Sequence, residues 1–392
     1  MKKGWQTKTL GDVLEKTETV NPLQSPSVEF DYIDVSSVSN TTFEIQETQR
    51  LKEKDAPSRA RKLVRTNDII FATIRPTLQR IAVVPEHLDK QVCSTGYFVL
   101  RPKLGIDHRF VIYSLFTENF VGQMESLQKG ASYPAVTDGY VRAQEIPVPP
   151  LAEQQRIVGV LDEAFEGLAT AKANAEKNLQ NARALFESHL QSVFTQRGPR
   201  WVEKPLGEIA DLLDCLHKTP TYAESGFPMV RVTDINPGFL DLSKTRKVDE
   251  QTFIAFSKGR TPRVGDIVFS RVGSCGVSAL VNSDEPFCLG QNTVFILPKM
   301  NLMLLYHFLN SPNAKEQFEG FIDGTTQPTI SMKSIRQVAV PIAPPAEHSR
   351  LVASLDSMRE ETQDLARLYE RKHAALEALK KSLLHQAFTG AL

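Results

Sequence analysis

The sequence predicts an α+β fold built twice: two pseudo-symmetric α/β globules separated by a pair of long antiparallel coiled-coil helices. Three observations predict it. The chain has 392 residues and two tryptophans, Trp5 and Trp201, half a chain length apart. Short segments recur in the same order in both halves. Each globule is followed by a stretch whose apolar or small residues alternate in steps of four and three. At roughly 100–200 residues per domain, the length implies two or three domains, and each half is long enough to bury its own core.

The repeat comes first because missing it misassigns the fold. Trp5…Leu10-Gly11 matches Trp201…Leu206-Gly207. Asn67-Asp68-Ile69-Ile70-Phe71 matches Gly265-Asp266-Ile267-Val268-Phe269. Phe98-Val99-Leu100-Arg101-Pro102-Lys103 matches Val294-Phe295-Ile296-Leu297-Pro298-Lys299. Gly130-Ala131-Ser132-Tyr133-Pro134 matches Gly324-Thr325-Thr326-Gln327-Pro328. Ile146-Pro147-Val148-Pro149-Pro150 matches Val340-Pro341-Ile342-Ala343-Pro344, and Phe194-Thr195 matches Phe388-Thr389. One match would mean little; this series in one order marks a duplication. It divides the chain into a globule over 1–150, a helix over 151–197, a second globule over 198–345 and a second helix over 346–392.

Within the globules, Ile69–Ile74, Gly96–Leu100 and Asp266–Phe269 read as buried strands. Val111–Phe116 and Leu302–Leu309 read as short helices. Asp68 and Asp266 read as turn caps. Residues 151–196 contain no proline. Their seam runs through Ile157, Leu161, Leu168, Leu179 and Phe186. The second seam runs through Leu351, Leu355, Leu365, Leu376, Leu379 and Leu383. Sustained 4-3 spacing is the pattern of a coiled-coil seam. A helix of about 45 residues is about 65 Å long. The simplest cover for each stripe is the other helix, which predicts antiparallel packing with the globules at opposite ends.

Lys+Arg and Asp+Glu both total 46, so the formal net charge is zero. Residues 1–150 carry 19 basic and 18 acidic side chains, and residues 200–345 carry 15 of each. Neither globule is a uniformly basic nucleic-acid binder. No apolar run is long enough for a membrane span, and the start lacks the apolar stretch of a signal peptide. Four scattered cysteines without a CxxC pair fit a reducing cytoplasm and no zinc site. The sequence has no Gly-Lys pair for a phosphate loop, no GxSxG, no HExxH and no histidines at metal-ligand spacing. No catalytic residue and no metal ligand is expected.

The segments Ile146–Val158 and Val264–Gly276, with Gly290-Gln291-Asn292-Thr293 and Gly324–Ser331, resemble the specificity (S) subunit of type I restriction–modification systems. The resemblance covers essentially the whole chain. It implies that the globules are target recognition domains, each reading one half of a bipartite site in double-stranded DNA. It implies that the helices are a ruler that docks two methyltransferase subunits, and two restriction subunits where the system has them. S-adenosylmethionine would then belong to the methyltransferase, ATP and Mg to the restriction partner, and no cofactor to this chain. Two departures stand out. The second helix starts Pro344-Pro345-Ala346-Glu347-His348, without the Leu and Gln pair of the first. The first domain has Thr73-Ile74-Arg75-Pro76 where the second has Arg271-Val272-Gly273, so the two read different sequences.

The candidate DNA contacts follow from charge and loop chemistry. Arg59, Arg61, Lys62 and Arg65 precede the Asp68 strand; Lys258, Arg260 and Arg263 precede the Asp266 strand. Arg75 and Arg271 follow those strands. Lys129, Ser132 and Tyr133 occupy one Gly-rich loop; Ser274, Thr325, Thr326 and Gln327 occupy its counterparts. Such side chains suit phosphate and base-edge contact. Two other classes remain open: a coiled-coil adaptor that binds only protein, and a stand-alone DNA-modifying enzyme.

Overall fold

The structure, a computed structural model, describes every residue except Met1, Lys3, 25–28, Lys258, Gly259 and 325–327. The chain folds as two compact units: Met1–Ala175 with Arg371–Leu392, and Glu176–Glu370. Each unit is one globule plus part of both long helices, Leu151–Thr195 and Pro345–Thr389.

In the first unit the chain enters and leaves the globule side by side. Strand Gln6–Thr9 pairs antiparallel with Glu145–Val148. Pro147 is tolerated because a two-stranded ribbon has free edges. The long helix begins two residues after this strand. There the buried Gln154 amide donates to the Pro149 carbonyl at 2.8 Å and accepts from the Asp107 backbone at 2.9 Å, locking helix to globule. The second unit repeats this neck with Val202–Pro205 against Ala339–Ile342. His348 replaces the glutamine and lies 2.8 Å from the Ala343 carbonyl. The altered second helix start therefore keeps its anchoring bond.

Each globule contains two small sheets. Ile81–Val83, Ile69–Ala72 and Tyr97–Leu100 form an antiparallel sheet, and the last two strands are wholly buried. The second unit has Ala210–Asp214, Thr293–Pro298, Ile267–Ser270 and Ser278–Leu280 in that order. The other sheet contains a parallel pair, Glu29–Ile33 with Val92–Ser94 at the centre of the first unit's four strands and Phe227–Val230 with the edge strand Cys288–Leu289 in the second unit's three. Helices cover the first sheet, where Phe71 meets Phe120 edge to face at 5.5 Å and Phe269 meets Phe318 likewise at 5.1 Å. Side-chain caps start these helices at matching places: Thr117 and Ser311, then Thr137 and Ser331. The globules differ most after Gln49–Lys52 and Arg246–Val248. The first has a three-residue turn, Glu53–Asp55; the second has a helix, Glu250–Ser257.

The long helices run antiparallel within each unit. In the first, Ile157, Val158 and Leu161 pack with Leu384, Ala387, Trp5 and Phe110, and Lys172 bonds Glu377 at 2.7 Å. In the second, Leu190 and Phe194 pack in one core with Leu355, and Arg183 bonds Glu370 at 3.0 Å. Leu168, Leu179, Phe186, Leu351, Leu376 and Leu383 are half-buried. Two expected seam residues fall outside it: Leu365 is 38% exposed and Leu379 47%. The less exposed positions run instead through Thr362, Ala366, Tyr369, His373, Leu376 and Lys380. Thr362, Tyr369, Leu376 and Leu383 keep the seven-residue repeat, and the alternate position of each heptad lies one residue later than expected, at Ala366, His373 and Lys380.

One neck contact differs chemically between the units. Tyr113 donates to Asp162 at 2.5 Å, and the matching His307 lies 3.0 Å from Asp356. Burial lowers the His307 pKa, against the pull of Asp356. An unfolded histidine titrates near about 6.5. As pH falls, the unfolded chain therefore takes the proton first. The stability His307 contributes is complete above that pH and is lost below it. We expect the thermal midpoint to fall more steeply between pH 7.5 and 5.5 in the wild type than in His307→Gln, measured by calorimetry. Equal slopes would exclude this histidine.

Candidate DNA interface

In the first unit, two loops are stitched together beyond the end of strand Ile69–Ala72. Val136 N donates to Thr73 O at 2.9 Å, and Arg75 N to Pro134 O at 2.7 Å. Lys129 and Ala135 exchange backbone hydrogen bonds, both 2.9 Å. Gly130, at φ 107°, closes this turn; a Cβ there would meet the Tyr133 carbonyl at 2.9 Å. Arg75 itself is left-handed, at φ 49°, a costly conformation for a non-glycine residue. Its guanidinium lies 5.4 Å from the Tyr133 ring centroid, and Tyr133 is 73% exposed. Lys129 and Ser132 are exposed on the same loop. An arginine presented on an exposed aromatic ring is suited to a guanine edge or a phosphate.

The second unit builds the same loop pair from other residues. Ile330 N donates to Arg271 O at 2.9 Å, and Asp323 and Thr329 exchange backbone bonds of 3.0 and 3.1 Å. These bonds make Arg271 the counterpart of Thr73, and Gly273 the counterpart of Arg75. The expectation that Arg75 and Arg271 are equivalent is thereby corrected. Arg271 is only 9% exposed. It donates to the Ile330 carbonyl and to Asp214, both at 3.0 Å, so it braces the loop from within. Ser274 is exposed on that loop, between Gly273 and Gly276. Gly276, at φ 88°, is required because a Cβ would strike the Phe318 ring at 2.5 Å.

The basic clusters separate into two kinds. Lys62 donates to the Tyr97 carbonyl at 2.5 Å and to Asp138 at 2.8 Å. Arg61 holds Asn21, and Arg65 holds Glu18. Arg260 grips both oxygens of Asp266 at 2.9 Å. Arg101, at the same place in the first unit, grips Asp68. Asp68 and Asp266 also accept the backbone N–H of Arg65 and Arg263, closing their turns. These basic groups serve the fold. Among the described residues, Arg59 and Arg263 are exposed and make no ion pair. Lys258, Thr325, Thr326 and Gln327 lie outside the described residues.

Two further candidates escaped sequence reasoning. Arg246 and Tyr222 are both exposed, the guanidinium 4.7 Å from the ring centroid. A basic residue opposite an aromatic 24 positions away leaves no local signal. The chain joins this pair to the Arg271 loop, because the segment after Asp214 is pinned at Ala223 to Lys247.

Burial pushes the Cys93 and Cys288 thiols up to about 12 and raises Cys215 and Cys275, so all four stay protonated at neutral pH. Asp214, Cys215 and His217 bring three ligand atoms within 4.8 Å. The Arg271 guanidinium on Asp214 opposes a cation there.

The family described as type I restriction modification DNA specificity domain matches residues 2–179 and again 199–370. The chain therefore belongs to that family, one domain in each half. It is 24% identical over 331 residues to the specificity subunit of type I restriction enzyme EcoKI of Escherichia coli (strain K12), covering 76% of this chain and 69% of that one. It is 22% identical over 276 residues to the EcoBI specificity subunit of Escherichia coli, covering 63% of this chain and 58% of that subunit. Among solved structures it is similar to the HsdS subunit from Thermoanaerobacter tengcongensis, at 28% identity and TM-score 0.66, covering 100% of this chain and 98% of that one. It is also similar, at 28% identity and TM-score 0.88, to a chain in a structure of a type I R-M system described for its complex assembly and conformational transition; 100% of this chain and 99% of that one are covered.

The two kinds of basic residue predict different mutants. Lys62→Ala leaves the Tyr97 carbonyl short of its donor and should cost about 1–3 kcal/mol. Arg59→Ala and Arg263→Ala should stay within about 0.5 kcal/mol of wild type. Urea denaturation distinguishes them.

Proposed function

We propose that this chain is the DNA-reading subunit of a type I restriction–modification complex. Each globule reads one half of a bipartite, asymmetric site in double-stranded DNA. The long helices dock two methyltransferase subunits, and restriction subunits where the system carries them. S-adenosylmethionine and adenine methylation belong to the methyltransferase, ATP and Mg to the restriction subunits, and this chain carries no catalysis of its own. Among the described residues, no helix is long and apolar enough to cross a membrane.

The observation that carries this reading is one scaffold bearing two different loop chemistries. Both units close the same loop pair with matching backbone bonds, Val136 to Thr73 and Ile330 to Arg271, and the exchanges Lys129–Ala135 and Asp323–Thr329. The first presents Arg75, Lys129 and Tyr133 there, and the second presents Gly273 and Ser274. Identical readers would favour a palindrome; unlike readers on a repeated frame favour two unrelated half-sites. A neutral chain supplies little non-specific affinity by itself, so much of the grip on the duplex falls to the partners.

The test is direct modified-base sequencing of DNA from a host carrying this gene with its methyltransferase, beside a host lacking it. One bipartite, non-palindromic motif is expected. Exchanging residues 1–150 for those of a related chain should change one half of the motif only. A motif that survives the exchange unchanged would favour the protein-only adaptor. In the purified complex, Arg75→Ala should weaken binding by about 1–3 kcal/mol. The loss should be confined to sites with the correct first half, read by titration against DNAs altered in either half.

A further inference from the structure

We propose that the second unit contains a binding site for a neutral aromatic ring carrying one N–H or O–H donor. The site is a cavity of about 530 Å³ between the globule and the long helices of that unit, within the range of small-molecule sites. Ala182, Phe186, Tyr306, Asn310, Thr362 and Ala366 contribute to its walls. It shares Cys275 and Gly276 with the loop that carries Ser274 but uses none of the side chains assigned to DNA, so its test does not depend on that reading.

The repeat shows what such a place holds. In the first unit the corresponding positions are packed with rings. Phe43 meets Phe116 edge-on at 4.6 Å. Lys380 Nζ lies 5.4 Å from the Phe43 centroid and 5.5 Å from that of Phe165. In the second unit Asn310 stands for Phe116, Arg359 for Phe165 and Phe186 for Lys380, all at the spacing that relates His307 to Tyr113 and Asp356 to Asp162. The loop that carries Phe43 has Phe239 as its counterpart, and Phe239 is 63% exposed. That loop is pinned beside the cavity: Gly238 N donates to the Tyr306 hydroxyl at 2.6 Å, and Leu280 N to Gly238 O at 2.9 Å. Its bonds hold Phe239 outward, so the ring must come from elsewhere.

Charge and hydrogen bonding narrow the ligand. The rim cations are already balanced, Arg183 by Glu370, Lys315 by Glu187 and Arg359 by Asp356. Burial favours the neutral form of His307. An anionic ligand would therefore find no unpaired cation at the rim, and a cationic one would find Glu319, which is solvent-exposed and screened. The Asn310 amide nitrogen donates to Ser278 and to the Tyr306 carbonyl, leaving its oxygen to accept from the ring's donor.

Indole is the probe, titrated into the full-length chain by calorimetry and by saturation-transfer NMR. Saturable one-to-one binding is expected. Asn310→Phe restores the first unit's residue and should weaken binding at least tenfold. Ala366→Leu narrows the cavity from the helix side and should do the same, which keeps the test valid if one variant folds poorly. Binding that does not saturate, or that both filled variants retain, overturns the proposal. Binding that emerges only in Phe239→Ala also overturns it, because Phe239 would then be the occupant.

Discussion

A 45-residue helix with an apolar stripe cannot stand alone in water, and the rest of the architecture answers to that constraint. Each long helix covers the stripe of the other. Burying a leucine or phenylalanine contributes about 1.5–3 kcal/mol, and Leu190, Phe194, Leu355 and Leu384 are each at least 96% buried. Ala175 and Ala182 are buried as well, and their small side chains let the backbones approach. The globules take part in this cover. Trp5 and Phe110 complete it in the first unit, and Phe308 meets Phe194 at 5.4 Å in the second.

The duplicated frame separates what must be kept from what is free to vary. The neck ribbons, helix caps, Asp-closed turns and loop-pair bonds appear in both units. The residues differ where another side chain can make the same bond or where they face solvent. Gln154 and His348 share one bond with different chemistry, as do Tyr113 and His307. In the loops the difference is larger: a strained arginine on tyrosine in one unit, and a glycine followed by serine in the other. This chain thus presents unlike surfaces on one repeated frame.

Much of this was legible in the sequence, because duplication and helical periodicity are local or regular signals. The repeat, the two long helices, the buried strands and the turn-closing aspartates all follow from spacing alone. What spacing hides is the distant partner. Lys62 looks like a free cation until Asp138 and the Tyr97 carbonyl arrive from the far side of the domain. Arg271 reads as an exposed strand exit, but the next residues form the glycine loop and turn it inward onto Asp214. Leu365 and Leu379 fit a 4-3 count, but the residue turned inward in those heptads is the next one, Ala366 and Lys380.

The division of the chain also bears on its synthesis. The second unit is one continuous run, Glu176–Glu370, whereas the first needs Arg371–Leu392 as well. Domains close as they emerge from the ribosome when their residues are contiguous. Here the half made first must wait for residues that follow the whole of the second unit. Until Leu384 and Ala387 arrive, Ile157 and Leu161 lack their partners and Trp5 lacks part of its cover. The later half can finish folding first, and the nascent chain carries a bare apolar stripe for most of its translation. Chaperone capture or premature pairing with another chain would strike at that stripe.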